Sequence, residues 1–310
     1  MQARQVTVLL EQAEVQRRLG NHRGATELAR RALSIDPDHA IAHATLASIL
    51  LDARRLPGAG IEARIALGLD SGDPYIHRVV AAVLIAERKL DDAWAHCLIA
   101  IQAPAPAPEA FVLGARVREL AGERDHAREL LHEALAIEAA HTGALIQLAR
   151  LELERRDLDE AARLAQLALE TDPASHTAHI VAGLIDLARG DATSAEHHAR
   201  FALQQDATDP AAHELWAAIQ ARKSRLLAAW WRWNTWISLG DDPRRLALLM
   251  GGFVVAQVAV IVTDELGFPA LSRALGLGWL ALCAYTWVAP VLFRRMLARA
   301  LEAVRLDPEF

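Results

Sequence analysis

The sequence predicts an all-α protein, and three observations carry that prediction. A small residue returns every 34 positions through the first two thirds of the chain. Of the 310 residues, 53% are hydrophobic but only 5% are aromatic, so the apolar mass is mostly alanine and leucine, which lose little on entering a helix. Near the C-terminus, residues 246–263 and 274–293 carry no charge at all.

The repeat is read from its columns. Ala25, Ala59, Ala93, Ala127, Ala161 and Ala195 form one, and Ala32, Ala66, Ala100, Ala134, Ala168 and Ala202 a second, seven residues later. A third, twelve residues before the first, holds Ala13, Ala47, Ala81, Ala115, Ala149 and Gly183. Paired helices require such positions: a large side chain there would push their axes beyond the roughly 8–10 Å at which ridges fit grooves. Asp-Pro pairs at 36–37, 73–74, 172–173 and 209–210 mark ends. In these columns the chain resembles the tetratricopeptide repeat (TPR) family, with two antiparallel helices per unit. The resemblance covers about residues 6–221 and implies an α-solenoid over 1–224. Its units start at Val6, Ala40, Pro74, Pro108, Thr142 and His176, and a capping helix with Trp216 and Ala217 starts at Pro210. The chain departs from the family at the fourth motif position, often Trp, which here reads His43, His77, Phe111, Leu145, His179 and His213.

The family builds its partner-binding face from the first helix of each unit. The resemblance therefore implies a groove carrying Tyr75, Arg78, Val112, Arg116, Ile146, Arg150, Ile180 and Leu184, with Ile41, Ala44, Ser48 and Leu51 in the second unit. Such a surface suits an extended or helical segment of another protein. The arginines admit two readings: recognition of acidic groups on a partner, or internal pairing of Arg116 with Glu119 and Arg150 with Glu154. The Lys/Asn clamp of similar chaperone-tail receptors is missing, since Asn21 and Asn234 are the only asparagines.

The last third reads differently. As helices, 246–263 and 274–293 would span roughly 27 and 30 Å, enough to cross a hydrocarbon core. Only "DELGFPALSR", 264–273, separates them, which predicts a transmembrane hairpin. Arginines gather before the first span and after the second, while the loop holds only Arg273. That bias puts both termini on the cytoplasmic side, in a bacterial inner membrane. Between repeats and spans, 225–245 holds Trp230, Trp231, Trp233 and Trp236 with Arg232. A helix there would lay its indoles in the headgroup layer or pack them on the last repeat. The basic tail, 294–310, contains "LARALEAVRLDPEF", which echoes "LARRALSIDPDHA" of the first unit. It reads as a juxtamembrane helix or as a segment docking on an array end.

Several function classes are excluded by composition and motif. Residues 1–221 hold 22 Lys and Arg against 32 Asp and Glu, too acidic for nucleic acid. The 13 histidines have no CxxC companion, and equivalent positions in stacked units lie too far apart to share a metal. A packing role is expected for the histidines. Cys97 and Cys283 sit in unrelated contexts and imply no disulfide framework. The first twenty residues lack the apolar core of a secretory signal. No phosphate loop and no nucleophile elbow occur, so no catalytic residue, cofactor, metal or small-molecule substrate is expected. The expected function is a non-catalytic protein-interaction scaffold on a membrane. The alternative makes the hairpin the working part of a transport, secretion or envelope-synthesis complex.

Overall fold

The computed structural model describes residues 2–223, 257–278 and 280, all helical or in the turns between helices. It divides into two compact units, Met1–Ser175 and His176–Phe310, each taken by itself below.

The first unit holds ten helices. They are α1 (Gln2–Arg18), α2 (His22–Ile35), α3 (Ala40–Asp52), α4 (Leu56–Leu69), α5 (Pro74–Ala86), α6 (Leu90–Ile101), α7 (Pro108–Leu120), α8 (Arg124–Ile137), α9 (Thr142–Glu154) and α10 (Leu158–Thr171). Each odd-numbered helix packs on the even one that follows, and α1, α3, α5, α7 and α9 also touch in succession. The first helix begins at Gln2, ahead of the Val6 start read from the repeat.

The small columns lie where these helices meet. Ala25, Ala59, Ala127 and Ala161 are 0% exposed, as are Ala13, Ala47, Ala81, Ala115 and Ala149. Helix starts are set by local chemistry. Asp73 Oδ1 accepts from Tyr75 N at 2.7 Å, with Pro74 filling the first helical position, where no N–H is needed. His39 and His141 cap in the same way through Nδ1, accepting from Ala42 N at 3.2 Å and Ala144 N at 3.1 Å.

The turn inside each repeat is one motif with two kinds of residue. In the fourth repeat Gly122 N donates to Glu119 O at 3.0 Å and Glu123 N to Arg118 O at 2.8 Å, satisfying carbonyls that the helix end leaves open. This closure needs a left-handed residue. Gly20 (φ 74°), Gly122 (85°) and Gly190 (94°) supply it in three repeats, but Arg54 (59°), Arg88 (63°) and Arg156 (67°) do so in the others.

The second unit opens with α11 (His176–Arg189), α12 (Ala192–Gln205) and α13 (Pro210–Lys223). Their core gathers Ile180, Leu187, Leu203, Leu215, Trp216 and Ile219. Gly183 replaces alanine in its column because a Cβ there would stand 2.6 Å from the buried Leu215 Cδ2.

Farther along, helical residues 257–265 and 269–278 flank a three-residue turn. Gly267 (φ 81°) closes it, with Phe268 N donating to Thr263 O at 3.0 Å and Ser272 Oγ to Val260 O at 3.1 Å. The expected loop over 264–273 is thus much shorter: helix runs through Glu265 and resumes at Pro269. Gly267 permits the early stop and Pro269 the early restart. Among the described residues, no helix is long and apolar enough to cross a membrane. Most of the two expected spans, the indole cluster of Trp230, Trp231, Trp233 and Trp236 with Arg232, and the tail 294–310 lie outside the described residues.

Candidate binding groove

Two hollows open along the row of first helices in the first unit. One, about 720 Å³, is lined by α1, α3, α5 and α7, with Leu10, Val15, Val79 and Leu113 among its apolar residues and Ser48, Tyr75 and Arg78 among its polar ones. The other, about 830 Å³, lies toward the ends of α3, α5 and α7, with α2 and α4 contributing one residue each. It is lined by Leu51, Leu56, Ile85 and Leu120, with His22, Asp52, Arg54, Arg88 and Arg116, and Ala82 is common to both.

The arginines of the first hollow are already matched. Arg17 binds Glu14 at 2.8 Å and reaches across to Asp52 on α3. The Arg17 hydrogen bond holds the Glu14 carboxyl below the usual carboxylate range, with Arg18 adding to it. Arg78 lies against the Tyr75 ring, 5.5 Å from its centroid, and binds Glu109 on α7 at 2.7 Å. Farther along, both Glu119 oxygens accept from Arg150 Nη2 on α9 at 2.6 Å, and Gln147 donates to the same carboxylate at 3.2 Å. The long Arg and Glu side chains therefore lace successive first helices together.

Of the residues expected to face a partner, Tyr75, Arg78 and Arg116 line these hollows, together with Ser48 and Leu51. Val112, Ile146 and Arg150 are half-buried and lie outside both. Arg150 pairs with Glu119 of the preceding repeat; Glu154 is 3.1 Å from Arg124 instead. Of the two readings for Arg150, it is paired internally, but with a carboxylate of the neighbouring first helix and not with Glu154. Two placements are corrected outright. Ala44 is 0% exposed, and Ile180 is 6% exposed within the core of α11–α13, so neither faces a partner. Leu184 is half-buried against that same core. The contribution of α1, through Leu10, Glu11, Val15 and Arg17, is additional to the expected groove, which carries no residue of the first repeat.

The histidines do more than fill space. His43 Nδ1 is 2.6 Å from Glu62 Oε2, and its Nε2 donates to Pro37 O at 2.9 Å. His77 Nε2 donates to Ser71 O at 3.0 Å, so in a neutral ring its Nδ1 accepts from His96 Nδ1–H at 2.7 Å. His179 and His198 repeat that contact at 2.8 Å. Burial, then the neighbouring His77, pulls His96 below the ordinary histidine range. Burial, then His179 and His197, brings His198 down to about 4. Among the described residues no group of His, Cys, Asp and Glu is arranged to hold a metal ion. Cys97 is fully buried, and burial pushes its thiol up to about 12, which makes it an inert packing residue.

No family model and no curated protein sequence matches the chain. Solved structures do. Against pilF of Pseudomonas aeruginosa the TM-score is 0.53 at 20% identity, covering 70% of this chain and 98% of that one. The chain is also similar to PilW, a type IV pilus biogenesis factor, with a TM-score of 0.54 at 18% identity over 68% of this chain and 98% of that one. A thermophilic TPR protein of Thermus thermophilus gives 0.55 at 23% identity, over 59% and 99%. The fold is the tetratricopeptide-repeat solenoid. The laced row of first helices is one face of those repeats.

Proposed function

We propose that this protein is a non-catalytic scaffold that binds a polypeptide segment of another protein along the first helices of its TPR repeats. The observation that carries this reading is the pair of open, continuous hollows lined by Val15, Leu113, Leu51 and Ile85, none of which is buried. Apolar side chains there leave water only when a partner covers them. Arg17 and Arg78 hold their carboxylates in place and so offer a rigid, charge-balanced wall, which lowers the ordering cost of binding.

We place the scaffold on the cytoplasmic face of a membrane, in bacteria the inner one. Support comes from the uncharged stretches and their flanking arginines, and from the hairpin around Gly267. There Ile261, Leu266, Phe268 and Leu271 are each half or more exposed, a surface that lipid would cover. A photo-crosslinking residue at Tyr75 or Leu113, in cells, should trap one partner in the membrane fraction, and a tenfold excess of purified partner lacking the label should compete it away. No partner trapped from either position, or a chain recovered in the aqueous fraction without detergent, defeats the corresponding half of the reading.

A second reading makes the hairpin the working part of a membrane complex. It is favoured by Gly276 and Gly278, where added Cβ atoms would meet nothing among the described residues, so another helix could approach closely. Replacing 246–293 by an unrelated two-span anchor separates the two, since a scaffold keeps its partner and its activity in cells.

A further inference from the structure

The two hollows differ in one respect that the scaffold reading does not use. Every arginine of the first, Arg17, Arg18 and Arg78, has a carboxylate partner. Among the described residues, none of the three arginines lining the second, Arg54, Arg88 and Arg116, makes a hydrogen bond or ion pair through its side chain. The one carboxylate there, Asp52, is held by Arg17. His22, on the same wall, has a buried Nδ1 with no partner among the described residues. Net positive charge therefore collects around an apolar floor of Leu51, Leu56, Ile85 and Leu120.

Two of these arginines also stand where an ordinary side chain is costly. Arg54 and Arg88 occupy the left-handed turn position that glycine fills in the first, fourth and sixth repeats. A left-handed L-residue is strained, and a cation beside the last carbonyls of a helix returns only part of that cost. Strain kept next to an open, unneutralised hollow is where a ligand contact is to be sought.

We propose, resting on the scaffold reading, that Arg54, Arg88 and Arg116 form an acid-recognition rim that binds an extended, acidic segment of the partner protein. Neighbouring first helices stand roughly 8–10 Å apart, and extended chain advances about 3.3 Å per residue. An acidic residue at every third position would meet successive arginines, and the apolar residues between them would settle on Leu51, Ile85 and Leu120. A peptide is favoured over a lipid surface because the arginines surround a leucine-lined hollow continuous with the groove at Ala82.

The test uses the full chain in detergent micelles and a fluorescent twelve-residue peptide with Asp at every third position and Leu between. The peptide should bind, weaken steeply with salt, and be lost when Lys replaces Asp. The variant Arg54→Gly, Arg88→Gly, Arg116→Gln gives two turns the residue their sibling repeats already use, so it folds. It should lower affinity at least about tenfold and flatten the salt dependence. Unchanged binding in that variant overturns the rim, as does preferential binding of phosphatidylglycerol vesicles that the same three substitutions abolish. Tyr75→Ala distinguishes the two proposals. If it releases the partner trapped in cells while the triple variant does not, the rim fails and the scaffold stands; if neither releases it, both fail.

Discussion

The second, third and sixth repeats fill one internal slot with histidine, whereas the fourth and fifth fill it with hydrocarbon. His43 faces Glu62, His77 faces His96, and His179 faces His198, each pair nineteen residues apart. The same two positions hold Phe111 and Leu130 in the fourth repeat and Leu145 and Leu164 in the fifth, all at most 6% exposed. One fold therefore accepts two chemistries at one place, provided that both members of the pair change together. A lone polar ring would leave a buried nitrogen unsatisfied, and a lone apolar one would strand its neighbour.

The largest effect is expected on the hydrocarbon side. Leu145→Ala removes a side chain that is 1% exposed and should cost about 3 kcal/mol, read as a lower midpoint in urea unfolding. A loss below about 1 kcal/mol would mean that the slot collapses freely and that its filling matters little. On the polar side, His77→Phe should cost roughly 1–3 kcal/mol, because His96 Nδ1 loses its partner. Adding His96→Leu, which imports the pair of the fourth repeat, should return most of that loss. If the double variant is no better than the single one, the two positions do not act as a unit.

How much of this was legible in the chain depends on whether the signal was local. The columns of Ala25, Ala13 and Ala32 recur at a fixed period, and each is dictated by a helix contact, so the hairpins could be read from them. The histidine pairs could not be read from one helix, since each links the first helix of a repeat to the second. Aligning the repeats would have shown Glu62, His96, Leu130, Leu164 and His198 changing in step with position four. Ile180 departs from its expected place for a related reason. Its motif position faces outward in the family, but the packing of α13 on α11 and α12 encloses it. Inter-repeat pairs such as Glu119 with Arg150 depend on neighbouring helices, and no spacing within one helix announces them.

Acid separates the two classes of repeat more gently. An unfolded histidine takes its proton near 6.5, whereas His198 in the fold resists until about 4, because of burial and then His179 and His197. The unfolded chain therefore binds more protons in that window. The contribution is complete above about pH 6.5 and is lost as pH falls toward 4, in the same direction for His96. With the rings partly exposed, about 1–2 kcal/mol is expected. Hydrogen exchange at pH 5 against pH 7, corrected for intrinsic rates, should show α5, α6, α11 and α12 losing protection before α7–α10. Uniform loss across all repeats would assign the acid response to something other than these pairs.

The smallest effect lies in the turns, where the repeats divide along another line. Arg156 holds a left-handed conformation with φ 67° in the fifth repeat, at the place where Gly122 stands in the fourth. Glycine removes the Cβ clash but costs entropy in the unfolded chain, and it withdraws a charge that favours the helix end. The balance should leave Arg156→Gly about 0.5 kcal/mol more stable, a rise of one or two degrees in melting temperature for a chain of this size. Gly122→Arg should lose a comparable amount, and the two changes together should nearly cancel. If Arg156→Gly instead lowers stability, the side chain is making contacts that offset its backbone strain. The turn residue would then be part of the packing rather than a position free to carry charge toward a partner.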